Sequence, residues 1–187
     1  AKLADSITPL AKGMNSEYAN QNTFDALQIH GGSGFMMDYP IQRYARDARI
    51  TNIYEGTTQL QVVAAIRYVT NGSYLAQMRE FETAQVSEAM QPLQARAKAM
   101  ADKFAEAVEH VKAAENQEMH DICARHLVEM AADVIMLHLL MYNATVQPEM
   151  FERSARVYAN FVEAEIAKHH AWVMHFDAAQ LADYRQA

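Results

Sequence analysis

Disulfides are excluded first. The 187 residues include one cysteine, Cys123, so no intrachain bridge can form, and such usage suits a reducing compartment. Glycine and proline are scarce, at 6 and 4. With 51% hydrophobic and 21% charged residues, this excludes collagen-like, low-complexity and disordered chains. Positive charge is also short: 16 Lys and Arg face 23 Asp and Glu, for a net charge of -7. No basic stripe is available to neutralise phosphates, so no nucleic-acid partner is expected. The longest apolar run, 134–142, is nine residues and contains His138, whereas a membrane span needs about 20, so no membrane association is expected. Residues 1–12 carry no apolar stretch of the signal-peptide kind, and a cytoplasmic location is expected. A chain that opens on Ala1 rather than Met is expected to be part of a longer protein.

Strand patterning is almost missing, because Val, Ile and Thr never alternate with polar residues over a useful length, while Ala, Met, Leu, Gln and Glu dominate. The chain therefore reads as all-α. Leu3, Ile7, Leu10, Met14, Tyr18, Phe24 and Leu27 give a first helix over about 1–30, ending at Gly31 and Gly32. Pro9, after Thr8, reads either as a first-turn proline behind an N-cap or as a kink inside a longer helix, and the kink is favoured. A short helix is expected from Pro40 to about Arg49, capped by Asp38, then a break over 51–56. Thr57 or Thr58 should cap the next helix, which Asn71-Gly72 ends near Thr70.

After Gly72 glycine disappears, and only Pro92 and Pro148 interrupt the remaining 115 residues. This sets the expected domain boundary: 1–72 as one helical domain, and 73–187 as a second helical bundle appended to it. Met90, Leu93, Ala97, Met100, Phe104, Val108 and Val111 step by three or four, and similar stripes run through Ile122, Leu127, Met130, Val134, Leu137 and Met141 and through Phe151, Ala155, Tyr158, Val162, Ile166, Trp172 and Phe176. Three long helices joined by short connections should stack antiparallel, in up-and-down order.

The chemistry concentrates in residues 27–61, LQIHGGSGFMMDYPIQRYARDARITNIYEGTTQLQ. Gly31, Gly32 and Gly34 could bring backbone amides against a flat or phosphorylated ligand without Cβ obstruction. They could equally be a helix terminus. Neither a Rossmann fingerprint nor a P-loop is present, since no strand precedes the glycines and no Lys-Ser or Lys-Thr follows them. Glu55 sits in the expected helix break beside Ile53 and Tyr54, where partial desolvation could raise its pKa enough for general-base work. The alternative is a structural role, capping the next helix or pairing with Arg49.

QIHGGSGF, DYP, RDARI and IYEGTTQLQ, in this order and spacing, resemble the C-terminal part of the acyl-CoA dehydrogenase family, over about residues 1–72. The glutamate stands 27 positions after Gln28, as in the family's motif. The resemblance implies α,β-dehydrogenation of an acyl-CoA thioester with FAD as hydride acceptor and Glu55 as the catalytic base. It implies that the Glu55 amide and a flavin ribityl hydroxyl hold the thioester oxygen. Gln28, Gly31 and Gly32 match positions that approach the flavin's adenine and pyrophosphate end, and Thr57 and Gln59 match flavin-contacting positions. Tyr54, Glu55 and Gly56 match the substrate-binding stretch, with Tyr54 an aromatic neighbour of thioester and flavin. Electron-transferring flavoprotein as redox partner and homo-oligomeric assembly follow from the same resemblance. An acyl-CoA oxidase shares the base but passes electrons to oxygen, and a non-catalytic helical interaction module is the further alternative. Because the family's other domains lie outside these residues, the chain alone is expected to be inactive.

Arg43, Arg46, Asp47 and Arg49 are read as a structural ion-pair network around the short helix. Residues 73–187 resemble, in position and helicity, the extra helical domain of longer family members. Histidines are numerous there, but no HExxH occurs and no Glu is followed three positions later by His, so no metal site is expected. Glu165 with His169, and Glu106 with His110, are i, i+4 pairs expected on solvated helix faces.

Overall fold

A computed structural model describes residues 2–184, with side chains over 4–182; Leu3 falls outside the described side chains. No strand occurs among the described residues, so the all-α reading holds. The chain divides into two compact units, 1–65 and 66–187, the division falling within one helix.

The first unit is built on α1 (Lys2–Ile29), α2 (Gly32–Phe35), α3 (Ile41–Thr51) and the first half of α4 (Thr58–Thr70). Pro9 lies inside α1 rather than at its start. Gly13 on α1 admits the Gln61 side chain, whose Cβ would stand 3.2 Å from an added methyl. Asn20 Nδ2 reaches from α1 to the Ala48 carbonyl at 2.9 Å, tying down the C-terminal half of α3. Two expectations are corrected here. Asp38 does not cap α3: Pro40 is the N-cap without a side-chain hydrogen bond, and its carbonyl accepts from the Arg43 and Tyr44 amides at 3.0 and 3.2 Å. The Gly-rich segment also does more than end a helix. Gly31 takes φ +58°, and the chain then makes the single turn of α2.

The second unit holds α5 (Ser73–Glu82), a 3-10 turn at Glu88–Met90, α6 (Gln91–Ala113), α7 (Gln117–Val146), α8 (Pro148–His175), a further 3-10 turn at Ala178–Gln180 and α9 (Leu181–Tyr184). The three long helices match the apolar stripes. α5 was not expected, although Tyr74 and Met78, its buried residues, are four apart. Asn116 caps α7, accepting from the Glu118 and Met119 amides at 2.9 and 3.2 Å. Gln147 alone separates α7 from α8, whose first residue is Pro148, a position where the missing N–H costs nothing. Bonds between the helices give their directions. The Ser87 amide meets Thr145 Oγ1, placing the start of α6 by the end of α7. Tyr158 bonds Asp133 and His169 bonds His126, so α8 runs back along α7, while Arg156 with the Ala89 carbonyl and His170 with Glu106 align α8 with α6. The order is up, down, up.

α7 forms the centre of this unit. Its length and composition would let it cross a membrane, yet 67% of the relevant stretch is buried, and it packs on α5, α6 and α8. That is the pattern of a core helix apolar on most of its circumference. Phe104, Leu127, Met130, Leu137, Met141 and Ile166 are fully buried in this core. Cys123 is buried there too, and burial pushes its thiol up to about 11, so it stays protonated and unreactive at neutral pH.

Candidate functional site

Between α3 and α4 the chain makes a tight loop over 52–57 that carries Tyr54, Glu55 and Gly56. Glu55 has φ +50° and Gly56 φ +91°. Two successive left-handed residues reverse the chain sharply, and the first carries a Cβ at a cost of order 1 kcal/mol. Gly56 suits its place by its φ, and a Cβ there would also have to displace the end of the Gln61 side chain, 2.7 Å away at Nε2. The loop is braced from α1. Lys12 Nζ donates to the Gly56 carbonyl at 2.5 Å, Thr58 Oγ1 donates to Glu17 Oε1 at 2.6 Å, and Asn52 Nδ2 reaches the same oxygen at 3.4 Å. Arg49 donates to Asn52 Oδ1 at 2.8 Å, and the Thr58 amide closes the loop on the Asn52 carbonyl at 3.2 Å.

Glu55 itself is exposed, and its carboxylate makes no hydrogen bond or ion pair among the described residues. The expected desolvation is therefore not supplied within this unit. Neither structural alternative is realised, however: Thr57 Oγ1 caps α4 by accepting from the Leu60 amide at 3.3 Å, and Arg49 is turned to Asn52. The expected ion-pair network is also not formed, since Arg43, Arg46 and Asp47 make no ion pair among the described residues.

The remaining expected residues fall into two groups. Tyr54, Thr57 and Gln59 are exposed on and just after the loop, beside Glu55 and Gly56; Gln28, Gly31 and Gly32 are exposed where α1 turns into α2. The glycines divide by cause. Gly31 is needed for its positive φ, and Gly34 because a Cβ would lie 2.4 Å from the Leu27 carbonyl oxygen. Gly32 has neither demand, with nothing within 4 Å of an added Cβ. Residue type alone did not single out Lys12, Glu17, Asn52 and Thr58, whose roles arise from contacts across 35 to 44 positions of chain.

Beside these residues an open groove of about 660 Å³ runs between α1, α2 and α3, with Phe24, Leu27 and Phe35 as apolar walls and Arg46 and Arg49 among its polar groups. The Glu17 carboxylate lines the same groove, so its polar groups are of mixed charge.

A model described as "Acyl-CoA dehydrogenase, C-terminal domain" matches residues 2–69, and one described as "Acyl-CoA dehydrogenase C terminal" matches 70–181. The chain belongs to the acyl-CoA dehydrogenase family. It is 50% identical over 60 residues to the broad-specificity linear acyl-CoA dehydrogenase FadE5 of Mycobacterium tuberculosis, covering 32% of this chain and 10% of that protein. An acyl-CoA dehydrogenase of Bacillus subtilis is 44% identical over 64 residues, covering 34% and 17%. An acryloyl-CoA reductase (NADH) of Anaerotignum propionicum is 56% identical over 54 residues, covering 29% and 14%. The chain thus spans between 10% and 17% of the length of these curated relatives. Among solved structures, an acyl-CoA dehydrogenase family protein from Porphyromonas gingivalis superposes with a TM-score of 0.58 at 36% identity, over 61% of this chain and 98% of that one.

The second unit contains a separate polar cluster. His126 and His169 face each other Nδ1 to Nδ1 at 2.7 Å, and His169 Nε2 lies 3.2 Å from Glu129 and 3.7 Å from Glu165. His169 is therefore a buried bridge between helices rather than half of a surface pair, and Glu106 pairs with His170 rather than His110. Burial, aided by their mutual proximity, pushes His126 down to about 4, and burial lowers His169 as well. Two nitrogens 2.7 Å apart stand at hydrogen-bond distance and are too close to flank a zinc ion, whose tetrahedral bonds of about 2.0 Å would hold them more than 3 Å apart. No group of three or more His, Cys, Asp or Glu side chains among the described residues is placed to hold a metal.

Proposed function

We propose that this chain is the C-terminal portion of an FAD-dependent acyl-CoA dehydrogenase that converts an acyl-CoA thioester to its α,β-unsaturated form, with Glu55 as the base. The observation carrying this reading is a carboxylate left exposed, and unpartnered among the described residues, in a left-handed turn within the IYEGTTQLQ segment, where its structural uses are taken by Thr57 and Asn52. Residues 1–72 would supply the site and 73–187 the appended bundle.

The residues present fit one edge of a flavin site: Gly32 offers open backbone that packing does not require, and Gln28, Thr57 and Gln59 are exposed polar groups. Bound FAD would supply the acceptor for the β-hydrogen, which leaves with its electron pair. Glu55 takes the α-proton, and the electrons of that C–H bond become the new double bond. The Glu55 amide donates to the thioester oxygen, where negative charge develops, and so lowers the barrier to removing a weakly acidic proton. Tyr54 lies beside the thioester. A solvated carboxylate is a poor base for such a proton. Since Glu55 is exposed here, its desolvation must come from acyl-CoA and from parts of the enzyme beyond these residues. The isolated chain should therefore bind FAD weakly and turn over no acyl-CoA. Electron-transferring flavoprotein as acceptor and a homo-oligomeric state complete the proposal.

The test is Glu55→Gln in the full-length enzyme, which keeps shape and removes basicity. Anaerobic flavin reduction by acyl-CoA should slow by about 10² to 10⁴ or more with binding nearly intact. Reduction at the parental rate would eliminate the assignment. Rapid reoxidation of the reduced enzyme by oxygen instead of electron-transferring flavoprotein would make it an oxidase.

A further inference from the structure

We propose that Lys12 and Glu17, both on α1, are positioning residues for Glu55. This rests on the assignment of Glu55 as the base, and it concerns how the loop is aimed rather than which group takes the proton.

Glu55 and Gly56 occupy a conformation that a free loop would leave, since a side-chain-bearing residue is strained at φ +50°. Something outside the loop must hold it: Gln61 Nε2 on α4 reaches the Glu55 and Gly56 carbonyls at 3.5 and 3.4 Å, and the shorter holds come from α1. At the loop's crown, the Lys12 ammonium takes the Gly56 carbonyl at 2.5 Å, which sets the direction of the Gly56–Thr57 peptide plane, one residue beyond Glu55. At its base, a single Glu17 oxygen receives Thr58 Oγ1 at 2.6 Å and Asn52 Nδ2 at 3.4 Å, joining the two ends of the turn. Asn52 and Thr58 are buried, and Arg49 fixes the rotation of the Asn52 amide, so the base of the loop has little freedom. Thr57 already caps α4 and the Thr58 amide already closes the loop. The contacts of Lys12 and Glu17 are therefore additional to what forming α4 requires. They fix where the Glu55 side chain and amide point, and a base displaced by about 1 Å can lose 10²-fold in rate.

Both residues are charged, so the alternative is that they tune the proton affinity of Glu55. The variants separate the two roles. In the flavin-loaded full-length enzyme, Lys12→Met and Glu17→Ala should slow anaerobic flavin reduction by about 10- to 100-fold. KM for acyl-CoA, flavin content and the apparent pKa of kcat/KM should be nearly unchanged. Glu17→Gln keeps the oxygen that Thr58 donates to, so it should hold the parental rate within about threefold; Lys12→Arg should restore most of the loss. Independently of activity, Glu17→Ala in the 187-residue chain should speed hydrogen exchange at the Thr58 amide by about tenfold or more. Parental turnover in Glu17→Ala despite accelerated exchange would overturn the proposal. So would a Glu17→Gln enzyme as slow as Glu17→Ala, or a displaced pH profile, since both indicate a role for charge. Should Glu17→Ala fail to fold, Lys12→Met alone decides, with parental turnover in it counting against. Failure of the underlying assignment looks different, because Glu55→Gln itself would then retain activity.

Discussion

The two units use their apolar residues in opposite ways. In 66–187 a core takes many of the large side chains: Phe104, Met130, Leu137, Met141 and Ile166 are fully buried, and ion pairs such as Arg79 with Glu82 and Asp102, or Arg96 with Glu163, decorate the outside, where Tyr142, Val146, Met150, Val157 and Phe161 also stay exposed. In 1–65 many point outward. Ile29, Phe35 and Met37 are 84–85% exposed, and Phe24, Tyr44, Ile50, Ile53, Tyr54 and Leu60 are exposed with them. A self-sufficient monomer rarely leaves so much apolar surface in water. The bundle is thus built to satisfy itself, and the Glu55-bearing unit is built to be covered. In the proposed function the cover is the rest of the enzyme, its subunits and its ligands, which also supply the desolvation Glu55 lacks here.

The contrast is broken most directly at Phe104. Replacement by Ala should destabilise the chain by about 3 to 5 kcal/mol in urea unfolding, because a fully buried ring leaves a cavity. An effect below about 1 kcal/mol would mean that the bundle's core is loosely packed. Within the first unit, Gly34→Ala should cost about 1 to 3 kcal/mol, since the new methyl meets the Leu27 carbonyl oxygen at 2.4 Å and backbone must shift.

Acid should weaken the bundle next. Burial, first, and then His169 push His126 down to about 4, and burial alone does the same to His138, whose Nε2 has no hydrogen-bond partner among the described residues. Unfolded histidine titrates near 6.5. The folded state therefore prefers both rings neutral. Its advantage is intact above pH about 6.5 and is lost as pH falls toward 4, where the folded rings also take up protons. After discounting for partial exposure, about 1 to 2 kcal/mol per ring is expected. Unfolding midpoints measured from pH 8 to 4 should show the decline, and His126→Gln should flatten part of it. Trp172, stacked on His126 at 3.9 Å, gives a local fluorescence reading of the same protonation. The smallest effects should be Phe35→Ala and Gly32→Ala, each within about 0.5 kcal/mol in the isolated chain because neither site is packed. A larger loss at Phe35 would show that the first unit is more self-contained than its exposure indicates.

Much of this architecture was legible in residue spacing. α1, α6, α7 and α8 follow apolar stripes at helical spacing, and α4 is bracketed by its Thr57 cap and by Asn71-Gly72, where Gly72 has φ +79°. α2 had no repeat to read, being one turn among glycines, and its existence depends on Gly34 fitting against the end of α1. The Asp38 cap and the arginine network failed for a related reason. Both are pairings that exposed side chains are free not to make, so proximity in sequence did not secure them. His169 went the other way, because which face of α8 is buried depends on where α7 lies.

By itself, then, the sequence determined the helical class, the long helices and the glutamate-bearing motif, because periodicity, backbone punctuation and short motifs are local properties of a chain. Only the tertiary structure decided that Glu55 stands unpaired among the described residues in a left-handed turn, that Lys12 and Glu17 hold that turn from a helix some 40 residues earlier, and that two histidines meet at hydrogen-bond distance between α7 and α8. Each of these depends on groups distant in sequence meeting at hydrogen-bond distance, and a bond that requires contact within about 3 Å exists only once packing has brought its partners together.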